Sequence, residues 1–166
     1  MAAERLTHVN GSGRARMVDI SGKEATERRA VFECRVVFAP RTYQLLKEQG
    51  LPKGDVLTTA RIAGIQGAKW TASLIPLCHP VPLSYADVRF SLEDESCSLS
   101  IEAEARTTAP TGVEMEAMVA AQTAAMTVYD MCKAVQRDIL ITDCRLKLKS
   151  GGRSGTFQGE PNEPDG

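Results

Sequence analysis

An aspartate and a lysine three residues apart, Asp130 and Lys133, stand near the end of a long apolar segment. On a helix this spacing puts both side chains on one face and close enough to interact. Burial and a neighbouring charge shift the pKa values of such a pair, which can then exchange protons with a substrate. A structural ion pair on a buried helix fits the same residues equally well, so the spacing alone leaves both interpretations open.

Two carboxylates, Glu114 and Glu116, precede the same segment. A helix dipole favours negative charge at that position. If both residues were inside the helix, their side chains would be separated by about 200° around its axis. They can therefore face one site only if the helix begins at or after Glu114, and one of them could simply be a partner of the dipole.

A histidine and a cysteine, Cys78 and His79, lie in a loop between two prolines, Pro76 and Pro80. A histidine fixed in this way can bind a phosphate or a base edge, or carry a proton near neutral pH. A histidine bonded locally beside a turn is equally consistent with the sequence. Because no second group of cysteine and histidine accompanies the pair, we expect no metal here, and no cofactor motif occurs elsewhere.

Basic residues are unevenly distributed along the chain. Lys53 precedes the predicted start of a helix, where an ammonium and backbone N–H groups can hold a phosphate together, although a solvated loop lysine is the commoner case. Between Lys133 and Arg153, six basic residues stand against two acidic ones. This run predicts attraction of an anionic ligand, although a basic surface without a ligand is also common.

The elements that would position these residues follow from periodicity and from capping residues. The sequence predicts a strand from Ala30 to Phe38, a helix over 40–48, a helix from Val56 toward Leu74 with Asp55 as N-cap, a hairpin of Ala86–Leu92 and Leu99–Ala105, a long helix over Ala117–Val135, and a last strand within 139–149. This order, β-α-α-β-β-α-β, predicts an α+β fold, a ferredoxin-like plait with an additional helix.

Two expectations concern faces of these elements. Simple alternation in the last strand predicts two opposite sets of side chains, Cys144, Leu146 and Leu148 on one face and Arg145, Lys147 and Lys149 on the other. The long helix is so apolar that one sheet cannot cover it, which predicts a partner subunit.

Length and composition suit a single domain: 166 residues with 43% hydrophobic and 25% charged content. We expect a catalytic domain over 17–150 between flexible segments 1–16 and 151–166. Five cysteines without a C-x-x-C pair, and no recognisable signal segment, predict reduced thiols and a cytoplasmic, non-membrane protein. The chain lacks G-x-S-x-G and any aromatic RNP-like run, so neither a serine hydrolase nor a nucleic-acid-binding plait is expected.

Eight short segments occur in order between Leu6 and Gly155: Leu6-Thr7-His8-Val9-Asn10, Met17-Val18-Asp19, Lys53-Gly54-Asp55, Ala60-Arg61-Ile62-Ala63-Gly64-Ile65, Leu74-Ile75-Pro76-Leu77-Cys78-His79-Pro80, Thr111-Gly112-Val113-Glu114-Met115-Glu116-Ala117, Val128-Tyr129-Asp130-Met131-Cys132-Lys133-Ala134 and Lys149-Ser150-Gly151-Gly152-Arg153-Ser154-Gly155. Together they closely resemble the cyclic pyranopterin monophosphate synthase family, accessory protein C of molybdenum cofactor biosynthesis. Arg153 stands where a lysine is more usual in that family, which preserves the charge.

The resemblance implies an enzyme of the lyase class that converts a cyclised 7,8-dihydro-GTP into cyclic pyranopterin monophosphate with release of diphosphate. It implies a homohexamer, a trimer of dimers, with the site between subunits. By the same likeness Asp130, Lys133 and Lys53 are the catalytic residues. Substrate-contacting positions are implied at Leu77, Cys78, His79, Met115 and Glu116, and further active-site positions at Asp19, Glu114 and Lys149.

Two other functions fit the same residues. A non-catalytic plait would sense a nucleotide or another anion through the basic positions, and an assembly scaffold would tolerate loss of Lys53 without effect. For an enzyme, the residues suggest that Asp130 and Lys133 carry acid–base steps while His79, Lys53 and Lys149 hold phosphates.

Overall fold

The computed structural model describes residues 12–159. The Leu6–Asn10 motif, the first eleven residues of the segment predicted to be flexible and the tail from residue 160 lie outside these residues. The elements in chain order are β1 Thr26–Val37, α1 Pro40–Lys47, α2 Val56–Lys69, α3 Thr71–Leu74, β2 Tyr85–Glu93, β3 Ser98–Ala109, α4 Glu114–Cys132, β4 Leu140–Ser150 and β5 Phe157–Gln158. Within the described residues, no helix is both long and apolar enough to cross a membrane.

An antiparallel sheet in the order β2-β3-β1-β4-β5 carries α2 and α4 on one face. The predicted α+β plait is therefore confirmed. The core between the helices and the sheet is formed by alternate residues of β1, such as Phe32 and Val36, and by the alanine-rich side of α4. Burial of this apolar surface is the main stabilising contribution to the fold.

Helices α2 and α4 pack closely because small residues line their contact. A Cβ added at Gly64 would lie 2.8 Å from the carbonyl oxygen of Ala120, and one added at Gly67 would lie 2.6 Å from Thr123 Oγ1. Neither position has room for a larger side chain. Asp55 caps α2 as predicted, since its carboxylate accepts a hydrogen bond from the Thr58 N–H at 3.0 Å.

The helix predicted to run on to Leu74 is interrupted at Trp70. The Trp70 N–H bonds to the Gly67 carbonyl, three residues back, so the last turn of α2 is tightened. The buried Thr71 hydroxyl then donates to the Ala68 carbonyl at 3.0 Å, and the short α3 begins. Hydroxyl bonds to the preceding turn are a known cause of helix bending.

The alternation predicted for β4 is wrong at Lys149 and Leu148. Val31 of β1 pairs with Leu148, but the next residue, Phe32, pairs with Leu146, so Lys147 is an additional residue in a β-bulge. Lys149 therefore pairs with the core residue Ala30 and shares the helix-covered face with Leu146. Without the bulge, its side chain would point to the other face of the sheet.

Charged side chains occupy that other face. Glu104 is only 2% exposed and accepts hydrogen bonds from Arg29 and Arg106, each at 2.6 Å, which lowers the pKa of its carboxyl to about 2. Lys147 lies 2.6 Å from Glu102. The basic run that begins at Lys133 therefore does not form one continuous anion-binding surface, because part of it is neutralised here.

The short strand β5 was not predicted from the sequence. After β4, Gly151 and Gly152 take positive φ angles of 94° and 73°, which other residues rarely adopt. The chain then reverses, and Phe157 pairs with Lys149. This turn carries Arg153 and Ser154 back toward the N-terminal end of α4.

Candidate active site

Asp130 lies in the last turn of α4 between two lysine side chains. Lys53, in the loop that enters α2, donates from Nζ to Asp130 Oδ2 at 2.7 Å and to the Asp130 carbonyl oxygen at 2.9 Å. Lys133, the residue that ends α4, has its Nζ 2.6 Å from Asp130 Oδ1. We call these three residues the lysine–aspartate cluster.

The two lysines determine the charge of the aspartate. Hydrogen bonds from Lys133 and then from Lys53 lower the pKa of Asp130 to about 2, and the same contact with Asp130 raises the pKa of Lys133. Near neutral pH the Asp130 carboxylate is therefore ionised and the Lys133 ammonium is charged. The lowered pKa makes Asp130 a weak base, and the raised pKa means that Lys133 keeps its proton more firmly than a free lysine.

Solvent reaches the cluster in the single chain. The side chains of Asp130, Lys133 and Lys53 are 53%, 50% and 42% exposed. One chain on its own therefore removes only about half of these side chains from water, because α4 buries its opposite side against the sheet and α2. Within residues 12–159 no element buries these three side chains, whereas Met131 and Cys132 of the same turn are buried.

A second group of predicted residues meets at the other end of α4. A cavity of about 580 Å³ is lined by Leu77, Cys78, His79, Glu114, Met115 and Glu116, together with Val18, Ile20, Lys23, Ile75, Thr111 and Gly112. Their spacing allows both glutamates to face one site only if the helix begins at or after Glu114. Helix α4 does begin at Glu114, and both residues line this cavity. The residue in the N-cap position, Val113, has an apolar side chain that cannot accept a hydrogen bond from the N–H groups at the start of the helix.

Glu116 is the buried acid of this cavity, with 3% of its surface exposed. Burial raises the pKa of its carboxyl to about 7, and the nearby charge of Glu114 adds to the effect. The Oε1 atom lies 3.9 Å from Cys78 Sγ, and Oε2 has no hydrogen-bond partner among the described residues. An unpartnered buried carboxyl oxygen is costly in a folded protein, which fits a position that bonds to a ligand.

His79 is oriented by the segment before β1. Its Nε2 lies 2.7 Å from the Val18 carbonyl oxygen, which can only accept, so this nitrogen carries a proton. Asp19, next to Val18, is engaged in its own turn through the N–H and hydroxyl of Ser21, at 2.9 and 2.7 Å. These hydrogen bonds lower the pKa of Asp19.

An adjoining cavity of about 650 Å³ shares Glu114 with the first and is lined by most of the cations at this end, so we call it the anion cavity. Lys149 reaches it from the end of β4 and Arg153 from the β4–β5 turn, and Lys149 Nζ bonds to Ser154 Oγ. Lys23 and Arg28 also line it, and sequence reasoning missed both. The sequence did contain a signal for Arg28. It lies two residues before Ala30 and four before Phe32, so alternation along the strand puts it on the same face as these core residues.

The two groups are separated along α4. Glu116 and Asp130 are almost four turns apart, a distance of about 21 Å along the helix axis. One chain therefore brings together Leu77, Cys78, His79, Glu114, Met115, Glu116 and Lys149, with Asp19 beside them. It brings together Lys53, Asp130 and Lys133 separately. No group of three or more His, Cys, Asp or Glu side chains within residues 12–159 could hold a metal ion.

Comparison with known proteins gives a consistent picture. Residues 17–152 match the sequence model of the MoaC family. The chain is 59% identical to a cyclic pyranopterin monophosphate synthase of Nitratidesulfovibrio vulgaris, over 93% of this chain and 96% of that one. It is 52% identical to the same-named protein of Chloroflexus aggregans, over 95% of each chain. A mitochondrial protein of that name from Arabidopsis thaliana is 51% identical over 92% of this chain and 57% of its own length.

Proposed function

Because this chain belongs to the MoaC family, we propose that it acts as a cyclic pyranopterin monophosphate synthase in molybdenum cofactor biosynthesis. Its substrate is the cyclised 7,8-dihydro-GTP, its products are cyclic pyranopterin monophosphate and diphosphate, and the reaction is of the lyase type. Residues 17–150 form the catalytic domain, a proposal that the family match over 17–152 supports.

One observation supports this proposal most directly: a buried acid and a group of cations lie in adjoining cavities at the start of α4. Lys149, Arg153, Lys23 and Arg28 line one cavity and Glu116 lines the other. A nucleoside triphosphate has a highly charged end and a polar base with N–H donors, so it needs both kinds of surface side by side. A ligand bonded to Glu116 Oε2 would also satisfy the buried oxygen that has no partner.

The reaction requires a proton to leave a sugar hydroxyl while diphosphate departs from the phosphorus atom that the hydroxyl attacks. Further proton transfers accompany the opening and reclosing of the purine-derived ring. We assign these transfers to Asp130 and Lys133, with Lys53 orienting Asp130 and adding positive charge. Leu77, Cys78, His79, Met115, Glu116, Asp19, Glu114 and Lys149 bind the substrate.

A second copy of the chain is part of this proposal. Within one chain, the lysine–aspartate cluster and the substrate cavities lie about 21 Å apart along α4. This distance is too large for both to act on the same substrate molecule. A two-fold pairing with antiparallel α4 helices would place the cluster of each chain beside the cavities of the other. The outer face of the α2–α4 layer carries Ile62 at 64% and Met126 at 57% exposure, which suits an apolar interface.

In such a pair the lysine–aspartate cluster would lose much of its contact with water. Electrostatic interactions with substrate phosphates and with the hydroxyl proton would then be stronger than in the exposed single chain. Three such dimers would give the hexamer that the family resemblance implies.

The substitution Asp130→Asn tests the catalytic assignment. A single-turnover assay with the cyclised dihydro-GTP should show product formation slowed by roughly 10²- to 10⁴-fold, the usual contribution of one acid–base group, with substrate binding retained. Asp138→Asn, which removes a charge from an exposed position just beyond α4, is the matched control and should keep the wild-type rate.

Three results would contradict the proposal. A wild-type rate for Asp130→Asn would remove Asp130 from catalysis. Binding of the substrate by the wild-type protein without any product would indicate an anion sensor. Unchanged turnover in Lys53→Ala would be inconsistent with the role given to Lys53.

A further inference from the structure

Two cysteine sulfurs lie in contact between adjacent strands. Cys34 of β1 and Cys144 of β4 have their Sγ atoms 2.9 Å apart, although 110 positions separate them in the chain. This is only roughly 0.9 Å longer than a disulfide bond of about 2.0 Å. Both are free thiols, and forming a bond from this separation would need only a small movement of the two sulfur atoms.

A second β-bulge produces this contact. Glu33 pairs with Arg145 and Arg35 pairs with Thr142, so Cys34 faces two residues of β4, Asp143 and Cys144. Asp143 adopts a φ of 53°, a left-handed conformation that is uncommon outside glycine. The extra residue turns Cys144 toward Cys34, a change of side-chain direction that bulges commonly cause.

The two thiols differ in their access to solvent. Cys144 is exposed, whereas Cys34 is 2% exposed and belongs to the core. Burial raises the pKa of the Cys34 thiol, and the adjacent Cys144 raises it further. Oxidants in solution therefore reach Cys144 first, while Cys34 is held beside it to complete the reaction.

We propose that Cys34 and Cys144 are an oxidisable pair, which a peroxide converts into an intrachain disulfide that joins β1 to β4. The Cys144 thiol loses its proton, its sulfur attacks one peroxide oxygen and the O–O bond breaks, so a sulfenic acid forms and the departing hydroxide takes up that proton to leave as one water. The Cys34 sulfur then displaces the sulfenic hydroxyl, its proton leaves with that hydroxyl as a second water, and the S–S bond forms. One peroxide is reduced by two electrons as two thiols are oxidised.

The modification lies outside the substrate cavities and the lysine–aspartate cluster, so it is independent of the proposed reaction. Its expected effect is on stability, because the bond would close a loop of more than 100 residues and restrict the unfolded chain. For a protein of this size, such a crosslink corresponds to a rise in Tm on the order of 10 °C.

The test treats the full-length protein with hydrogen peroxide, blocks the remaining thiols and digests the product with trypsin without reduction. We expect a linked peptide pair, Ala30–Arg35 with Asp138–Arg145, whose mass is lower than the sum of the two by two hydrogen atoms. Dithiothreitol should separate the pair, and the oxidised protein should melt at higher temperature. The Cys97→Ser variant should behave like the wild type, whereas Cys144→Ser should lose both the linked pair and the rise in Tm.

Other products of the same experiment would overturn the proposal. One is an unmodified Cys144, which would mean that the thiol is inaccessible in the assembled protein. Another is stable sulfinic acid on Cys144 with Cys34 still reduced, and a third is a bond from either cysteine to a different partner. A linked pair with an unchanged or lower Tm would show that the bond does not fit the native strands.

Discussion

Lys53 donates hydrogen bonds to both the carboxylate and the carbonyl oxygen of Asp130, at 2.7 and 2.9 Å, although 77 positions separate the two residues. The contact ties the loop before α2 to the last turn of α4. It also fixes the direction of the carboxylate, because Lys133 holds its other oxygen. Lys53 is therefore better described as a partner of the aspartate than as an isolated phosphate-binding residue.

The first prediction concerns the pKa of Asp130. Replacing Lys133 by methionine should raise this pKa from about 2 toward 3.8, and Lys53→Met should raise it less, since the bond from Lys133 is the larger influence. A carboxyl-selective NMR titration measures both changes. The stabilising effect of the cluster is present above pH 3.8 and is lost as the pH falls through about 2, since only then does the folded protein take up this proton. Equal shifts in the two variants would contradict the order of the two influences.

The second prediction concerns Glu116, whose pKa is raised by burial from 4.5 to about 7. Below pH 4.5 its carboxyl is protonated in both the folded and the unfolded chain. As the pH rises, the unfolded chain releases this proton first, so the wild type loses stability until the folded carboxyl ionises near pH 7. Glu116→Gln, which stays neutral, should therefore be more stable than the wild type above pH 7 by roughly 1–3 kcal/mol.

Denaturant unfolding above pH 7 and below pH 4.5 measures this difference. The two proteins should approach equal stability at the lower pH. Glu95→Gln, at an exposed turn position, is the control and should show no such pH-dependent gain. A Glu116→Gln variant that is less stable than the wild type at every pH would mean that the buried carboxylate has a favourable partner in the assembled protein.

The third prediction concerns sharing of the site between two chains. Asp130→Asn damages the lysine–aspartate cluster and Lys149→Met damages the anion cavity, so each variant alone should be inactive. When both are expressed together, half of the randomly formed dimers are mixed, and each mixed dimer keeps one intact site. About one quarter of wild-type activity should return if each site is built from both chains of a two-fold symmetric dimer. Activity of the purified mixture is the measurement.

Asp130→Asn expressed with Lys133→Met is the matched control for this experiment. Both lesions lie in the same cluster, so no site in a mixed dimer is intact and no activity should return. Failure of the first mixture to recover activity, with mixed dimers verified by two affinity tags, would place the complete site within a single chain.

The fourth prediction concerns the turn after β4. Gly152 has a φ of 73°, and a Cβ at this position would overlap the guanidinium of Arg28, which lines the anion cavity. Gly152→Ala should therefore weaken substrate binding, seen as a higher KM with a smaller effect on kcat. Gly155→Ala is the control, because Gly155 also has a positive φ of 63° but has nothing within 4 Å of a Cβ. If both variants showed the same increase in KM over the wild type, backbone strain and not the displaced Arg28 would be responsible.

Local patterns in the sequence were sufficient for most of the elements. The β2–β3 hairpin, the Asp55 cap and the length of α4 follow from alternation, capping and helical periodicity, which depend on neighbouring residues. The break at Trp70 was missed because it depends on hydroxyl bonds from a buried threonine. Alternation failed in β4 because a bulge is defined by pairing with another strand, and Lys149 changed face as a result.

The sequence by itself determined which residues could do chemistry and that they belong on one long helix and the loops around it. Only the tertiary structure decided their grouping: Lys53 with Asp130, and Glu116 with Cys78 and a neighbouring set of cations. The reason is physical, since spacing along a chain fixes the direction of a side chain only within its own element. Burial, pKa values and contacts such as that of Cys34 with Cys144 arise when separate elements pack together.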